Sequence, residues 1–354
     1  FYSRYRNGAT LAPDEQDALM IKQHLAGHNI PYDEQEPTNS LELLDKAISK
    51  DKESGITPPN NKIFVTFTSF PKNDEYQNFG VMQALDHLNV LNYMQTNIPQ
   101  LQSVPVALVG SSHGAYIANL CAKIAPSSID LVIDNSSYIK PRYQFFVGRE
   151  FNNREPEYFN RSSYENIHIY FFTKTYWSLN PNAQNFFSNA HFRIRDLGDY
   201  AHLKQAVKLA KKPRYISYHA KNDLIASHAD KELFYKKLSS LGFNATLHTI
   251  SQPSQVDGVF IKNLNHAMDM SIKELINHEL NALFDSPQLT QQELKPHIFE
   301  SNSLIYNFDF KDGVYCGELL ANSSQDSLIE ELKNNFAKNR AYLEEEHLSL
   351  FNSL

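Results

Sequence analysis

Residues 104–118 constrain the fold of this chain more than any other stretch. A short apolar run rich in valine leads into Gly110-Ser111-Ser112-His113-Gly114, and small, helix-tolerant residues follow it. This pattern predicts a strand, a sharp turn and a helix. We expect Gly110 and Gly114, which lack a Cβ, to let the strand and the helix approach closely while the turn presents Ser112.

Gly-x-Ser-x-Gly in this setting is typical of a nucleophile elbow, in which a strained turn exposes a serine hydroxyl. Ser112 would then lie at the positive end of the following helix, where the first N–H groups have no acceptor inside the helix. The backbone N–H of His113 is therefore the expected donor to an oxyanion. The alternative is an ordinary strand-to-helix turn in which Ser112 only caps the helix.

An acid and a histidine further along the chain favour the catalytic interpretation. Asp223 follows a predicted strand, residues 213–219, and lies in a loop of the kind where catalytic groups gather in open parallel sheets. His266 follows a second predicted strand, residues 245–250, and the loop after it. The order serine, aspartate, histidine is that of α/β-hydrolases. In this scheme His266 takes a proton from the serine and Asp223 holds the imidazole in the required tautomer.

Other titratable residues are weaker candidates. Asp134 ends the predicted strand 129–134 and is the reserve acid of the triad. His113 lies inside the elbow, but its side chain is expected to point away from Ser112. The histidines for which a structural role is expected are His219, His228 and His248.

Composition limits the partners and the compartment. The chain has 354 residues and a formal net charge of −7, so we expect neither nucleic acid nor a membrane surface as a partner. No His-Glu-x-x-His or clustered Cys/His spacing is present, and we expect no metal and no cofactor. The only cysteines, Cys121 and Cys316, are far apart in sequence, which favours a reducing compartment and a cytoplasmic location.

The order of the predicted helices and strands is typical of a mostly parallel α/β sheet with helices on both faces. We expect an α/β-hydrolase core formed by residues 1–137 and 213–285. Residues 138–212 are rich in Phe, Tyr and Arg and lack clear periodicity, which predicts a cap or lid inserted over the elbow. Residues 286–354 are expected to add a β-hairpin and a charged amphipathic helix.

Several short segments together resemble one known family. They are residues 75–86, 110–114, 133–138, 173–177 and 254–258, with Asn265-His266. Over most of its length up to about residue 285, the chain resembles domain-of-unknown-function family 2920 (DUF2920), α/β-hydrolase-like proteins of Campylobacter, Helicobacter and their relatives. The resemblance implies a serine-hydrolase-like fold, a cytoplasmic location and an association with flagellin-glycosylation regions. It also implies activity on acylated nonulosonic acid sugars or their nucleotide-linked forms.

One part of the family pattern is not found in this sequence. Members usually begin with a sheet region carrying a Gly-rich loop after an early strand, and residues 1–6 resemble the segment that follows it. In α/β-hydrolases this loop supplies the second oxyanion donor. We therefore expect that N-terminal strands are missing from the sequence, or that this member lacks the loop.

Together these features predict a serine hydrolase that cleaves a carboxylic ester, with a small-molecule or sugar ester as substrate. The same triad could instead transfer an O-acyl group to a sugar. A third alternative is a non-catalytic α/β-hydrolase-fold protein that binds a glycan or a partner. The geometry of the site separates this binding alternative from the two catalytic ones. The binding alternative gains support if Asp223 and His266 do not converge on Ser112.

Overall fold

A computed structural model describes most of the chain. The described residues are 10–70, 79–102, 104–140, 158–160, 164–173, 182, 186–187, 189–209, 211–281, 298–301, 304–311 and 314–321. The expected C-terminal amphipathic helix lies outside them. Among the described residues, no helix combines the length and the apolar character that a bilayer crossing requires.

Strands and helices alternate through most of the described chain. The strands are β1 Thr10–Ala12, β2 Ile63–Phe70, β3 Ala107–Ser111, β4 Leu131–Asn135, β5 Tyr158–Asn160, β6 Ile167–Thr173, β7 Arg214–Ala220, β8 Ala245–Ile250, β9 Ile298–Ser301, β10 Leu304–Lys311 and β11 Val314–Ala321. The helices are α1 Glu15–Ala26, α2 Pro37–Glu53, α3 Val81–Asn97, α4 His113–Ile124, α5 Asn189–Arg193, α6 Tyr200–Ala206, α7 His228–Ser240 and α8 Ile272–Glu279.

The chain divides into two compact units. The first comprises residues 1–79 and 142–187, and the second comprises residues 80–141 and 188–354. These boundaries differ from the domains expected from the sequence, because the expected insertion 138–212 is shared between the units. The physical reason is strand pairing, since β5 and β6 join the sheet of the first unit.

The first unit has a four-stranded sheet in the order β1-β2-β6-β5. β2 and β6 are parallel, with Ile63 opposite Ile167, while β1 and β5 pair antiparallel with their neighbours. Apolar residues recur at helical spacing in α1 and α2 and at alternate positions in β2 and β6, so one face of each element is buried. The buried core residues are Ile21, Leu25, Leu41, Leu44, Ile48, Val65, Phe67, Ile167 and Ile169.

The second unit has a parallel four-stranded sheet in the order β3-β4-β7-β8. Leu131 and Ile133 of β4 and Ile216 of β7 are buried in its core, together with Met268 and Leu275 from the segment after β8. Because all four strands run in one direction, their C-terminal ends meet at one edge of the sheet. The residues that follow β3, β7 and β8 are therefore brought to that edge.

The expected strands and hairpin of this unit are confirmed. β8 has the bounds that the sequence predicts, and the hairpin formed by β10 and β11 pairs Lys311 with Val314 across its turn. β9 pairs with β10 on the other side and gives a three-stranded antiparallel sheet. The α/β class, with parallel strands flanked by helices, is confirmed as well.

Candidate active site

Ser112 occupies a strained turn between β3 and α4. Its backbone has φ 54° and ψ −118°, a positive φ that residues with a Cβ rarely adopt. Such a conformation costs of order 1–3 kcal/mol and persists only where the surrounding structure enforces it. The backbone geometry is therefore that of the nucleophile elbow expected from the sequence.

The two glycines of the elbow are not equivalent. A Cβ on Gly110 would lie 2.3 Å from the carbonyl carbon of Gly114 and 2.4 Å from the nitrogen of Ala115, so only glycine fits there. A Cβ on Gly114 would meet no atom within 4 Å outside its own helix. The expectation that both positions require glycine for close approach is thus wrong for Gly114. Its backbone is instead the surface that Gly110 approaches.

Three predicted residues form one chain of hydrogen bonds. The Nε2 atom of His266 lies 2.7 Å from the Oγ atom of Ser112, and its Nδ1 atom lies 2.7 Å from an oxygen of Asp223. The Asp223 side chain is fully buried, while 15% of the His266 side chain is exposed. All three residues belong to the second unit.

The partners of His266 determine which ring nitrogen carries the proton. A carboxylate can only accept, so Nδ1 donates its proton to Asp223. In the neutral ring, Nε2 is then the acceptor of the Ser112 hydroxyl. This is the tautomer in which a histidine can remove the serine proton.

Asp223 is held rigidly in the loop after β7. Its second oxygen accepts hydrogen bonds from the backbone N–H groups of Ile225 and Ala226, at 2.8 and 2.9 Å. Burial alone would raise the pKa of Asp223. The hydrogen bonds from His266 and from these N–H groups outweigh burial, and the pKa lies below its ordinary value of 3.8. The carboxylate is therefore ionised at neutral pH.

A short left-handed segment follows His266. The three residues after it, Ala267, Met268 and Asp269, have φ values of 60°, 55° and 42°. The side chain of Met268 is fully buried, and its carbonyl accepts the N–H of Lys262 at 3.0 Å. The loop thus turns back on itself and presents the imidazole towards Ser112.

His113 is the first residue of α4, where helix N–H groups point towards the N-terminal end. The helical hydrogen bond from Tyr116 N–H to the Ser112 carbonyl, 3.0 Å, starts the helix directly after the elbow. The side chain of His113 is bonded to Tyr138 through Nδ1 and to Gln83 through Nε2, the latter at 3.0 Å. It therefore lies away from the Ser112 hydroxyl, as expected, and the oxyanion role of its backbone stays a prediction.

Asp134, the reserve acid, is engaged elsewhere. One of its oxygens lies 2.5 Å from Nζ of Lys231 and accepts from Ser137 Oγ at 2.6 Å and Asn119 Nδ2 at 2.8 Å. Burial would raise the pKa of Asp134, but the Lys231 charge and the hydrogen bonds from Lys231 and Ser137 lower the pKa below its ordinary value. The structure pairs His266 with Asp223 instead, so Asp134 is part of a buried ion pair and not the partner of the imidazole.

One histidine expected to be structural touches the candidate site. His219 Nε2 donates to the carbonyl of Ala226 at 3.0 Å and lies 3.4 Å from an oxygen of Asp223. Burial, and then the nearby charge of Lys231, lower the pKa of His219 to about 4, so the ring is neutral at pH 7. Its position four residues before Asp223 was the available sequence signal.

Of the two other histidines, His228 begins α7 and His248 belongs to β8. His228 Nε2 lies 2.9 Å from the hydroxyl of Thr249. The ring of His248 stacks on that of Tyr218 with centroids 4.4 Å apart. Both contacts fit the structural roles expected for these residues.

A serine on a strained turn after one parallel strand, with an acid and a histidine after two later strands, defines the α/β-hydrolase class of fold. The chain belongs to the family described as "Protein of unknown function (DUF2920)", whose model matches residues 2–314. The family assignment made from the sequence is thereby confirmed. No curated protein matches the chain.

Several solved structures are remotely similar to this chain. An esterase of Pyrococcus furiosus is 11% identical with a TM-score of 0.34, and the match covers 59% of this chain and 64% of the esterase. Esterase 2 of Thermogutta terrifontis is 13% identical with a TM-score of 0.34, covering 63% of this chain and 72% of that one. The acylaminoacyl peptidase of Pyrococcus horikoshii is 12% identical with a TM-score of 0.34, covering 59% and 28%.

Proposed function

We propose that this protein is a serine hydrolase that cleaves carboxylic esters through an acyl-Ser112 intermediate. One observation carries the proposal: Ser112 Oγ, His266 and Asp223 form a continuous chain with two 2.7 Å hydrogen bonds. The serine that begins this chain lies on a strained elbow, where a hydroxyl is accessible to a substrate carbonyl. The convergence of these groups counts against a purely binding role.

In the first half of the reaction, Ser112 Oγ attacks the ester carbonyl carbon while His266 Nε2 takes the hydroxyl proton. A C–O bond forms, and the carbonyl π electrons move to the oxygen, which becomes the oxyanion of a tetrahedral intermediate. The backbone N–H of His113 is the assigned donor to this oxyanion, an interaction typically worth about 10²–10³ in rate. The imidazolium then gives its proton to the departing alkoxide oxygen, and the acyl-serine remains.

In the second half, water replaces the alcohol. His266 Nε2 takes a proton from the water as its oxygen attacks the acyl carbon, and a second tetrahedral oxyanion forms. When this intermediate collapses, the imidazolium returns a proton to Ser112 Oγ and the carboxylic acid leaves. Asp223 stays ionised throughout and stabilises the imidazolium at each stage.

The substrate class is proposed from the family resemblance alone. Acylated sugars, including nonulosonic acids and their nucleotide-linked forms, are the first esters to test, and a cytoplasmic location goes with that assignment. The general chemistry at Ser112 does not depend on this choice, because any accessible ester carbonyl would follow the same proton transfers.

Fluorophosphonate labelling tests the proposed function. The reagent phosphonylates a serine only if a neighbouring base activates it, so intact mass should show one adduct on the wild-type protein. Ser112→Ala should abolish the adduct, and His266→Ala should slow its formation by at least about 10³-fold, as expected when one member of a catalytic unit is removed. Ser137→Ala is the matched control, because this serine hydroxyl contacts Asp134 and not His266.

The result that contradicts the proposal is equally definite. A wild-type protein with a cooperative thermal transition that gains no adduct would exclude an activated serine. An adduct that persists in Ser112→Ala would place the reactive serine elsewhere.

A further inference from the structure

Asn135 is the last residue of β4, and both polar atoms of its side-chain amide form hydrogen bonds beside the candidate site. Its Nδ2 atom donates to Ser111 Oγ at 3.1 Å and to the Ala267 carbonyl at 3.0 Å, and its Oδ1 atom accepts from Ser136 Oγ at 3.0 Å. The residue is fully buried. A buried amide with two donors and an acceptor all engaged is fixed in orientation as well as position.

The orientation of this amide follows from its partners. The Ala267 carbonyl can only accept a hydrogen bond, so the atom of Asn135 that faces it must be the amide nitrogen. The opposite atom is then the oxygen, which faces the Ser136 hydroxyl. Flipping the amide would place two acceptors against each other at Ala267.

The two groups held by Nδ2 are neighbours of the two reacting groups. Ser111 directly precedes Ser112, and Ala267 directly follows His266. The backbone carbonyl of Asn135 also accepts the Ser112 N–H at 2.7 Å. A single residue therefore links the turn that carries the nucleophile to the loop that carries the base.

The loop that carries the base needs such a restraint. Ala267 opens the left-handed segment, in which three consecutive residues with side chains have positive φ. Such conformations are strained and would relax if the surroundings allowed it. The hydrogen bond from Asn135 acts at the first of these residues, next to the imidazole.

We propose that Asn135 is a positioning residue of the hydrolase, which sets the separation of Ser112 Oγ and His266 Nε2 through its hydrogen bonds to the residues beside them. This inference rests on the proposed function. Asn135 makes its hydrogen bonds to the neighbours of the reacting groups and takes no part in proton transfer. A displacement of about 1 Å between reacting groups can reduce a rate by about 10²-fold.

The first unit supplies a closely matched control in Asn166. Its Nδ2 atom donates to a backbone carbonyl, that of Asp45 at 3.1 Å, and to a serine hydroxyl, Ser49 Oγ at 2.8 Å. Asn166 is also fully buried. Asn135→Leu and Asn166→Leu therefore remove the same two types of hydrogen bond, but only the first removes hydrogen bonds to the residues beside Ser112 and His266.

The experiment measures the second-order rate constant of fluorophosphonate labelling and the final fraction of molecules labelled. Loss of folded protein lowers the final fraction and leaves the rate constant of the remaining molecules unchanged. Mispositioning lowers the rate constant while the final fraction stays complete. We expect Asn135→Leu to reduce the rate constant by about 10²-fold with full final labelling, and Asn166→Leu to leave the rate constant within about two-fold of wild type.

Asn135→Asp keeps the inference testable if the leucine variant does not fold. It has nearly the size of asparagine but places an acceptor against the Ala267 carbonyl, so the same reduction is expected. Equal rate constants for wild type and a folded Asn135 variant would overturn the inference and leave the proposed function intact. Failure of the wild-type protein to label would overturn both.

Discussion

Two buried aspartates lie at the same edge of the second unit's sheet and have different partners. Asp134 belongs to β4 and Asp223 follows β7, the strand paired with β4. Both side chains are fully buried and both have a pKa below the ordinary value. Burial and a lowered pKa therefore do not show which of the two aspartates is the partner of His266.

The two aspartates are distinguished by the partners of their carboxylates. Asp134 faces the ammonium of Lys231 at 2.5 Å, and its other neighbours are donors that hold the charge in place. Asp223 faces an imidazole that in turn contacts a hydroxyl. The first carboxylate stabilises a fixed cation, whereas the second can stabilise a cation that forms only during the reaction.

Of the substitutions at the two carboxylates, Asp223→Asn should give the larger change in activity. The amide can offer its NH₂ group to the imidazole and so favour the wrong tautomer, and in the serine-protease triad the equivalent change lowers kcat by about 10⁴-fold. We expect a reduction of about that size in the labelling rate constant, with a thermal transition that remains cooperative. Asp134→Asn is the matched variant, and a comparable loss of rate constant in it would end the distinction between the two carboxylates.

Lys231→Met should give the largest change in stability. It leaves the Asp134 charge buried without its counter-ion, and removing one partner of a buried pair typically costs about 3–5 kcal/mol. Urea unfolding should show this loss, while the labelling rate constant of the folded fraction stays within a few-fold of wild type. The double variant Asp134→Leu with Lys231→Met should recover much of the stability, because neither charge then remains unpaired. No recovery would contradict the ion-pair account.

A smaller effect should appear in the pH dependence of stability, and it arises from His219, which lies beside Asp223. His219 has a pKa lowered from 6.5 to about 4 in the folded protein. Between these values the unfolded chain binds more protons than the native state, so stability rises with pH and is lost on acidification from pH 6.5 to 4. The slope should be on the order of 1 kcal/mol per pH unit.

Urea unfolding at several pH values, compared between wild type and His219→Asn, measures that slope. The asparagine variant can still donate towards the Ala226 carbonyl but cannot titrate, so it should have a shallower dependence over this range. Identical slopes in the two proteins would show that His219 does not resist protonation in the native state.

The residues of the candidate site were predictable where a short stretch of sequence identifies them. The elbow motif fixes Ser112, and the loops after β7 and β8 fix Asp223 and His266, because parallel strands bring their C-terminal ends together. Lys231 could not be assigned to Asp134 in advance, since the partners lie 97 positions apart on different elements. The proposed role of Asn135 could not be predicted from the sequence either, because it depends on the pairing of β4 with β3 and on the path of the loop after β8.

The division into units was less predictable for a similar reason. Residues 167–173 read as one more aromatic part of an irregular insertion, yet Ile167 and Ile169 alternate into a core and the strand pairs in parallel with β2. A short strand carries no information about which distant strand it joins. Only the buried face, seen together with α1 and α2, shows where it belongs.

The distances along the chain between the groups of the site have a consequence for how it forms in time. Ser112 and His266 are 154 positions apart, and Asn135 and Ala267 are 132 apart. Contacts across such separations carry a large loop-closure cost and slow the folding step that makes them. Under the proposed mechanism, a nascent or refolding chain that has completed its elbow has no activated serine until β8 and the segment after it have docked. The appearance of labelling at Ser112 during refolding would therefore report when that docking is complete.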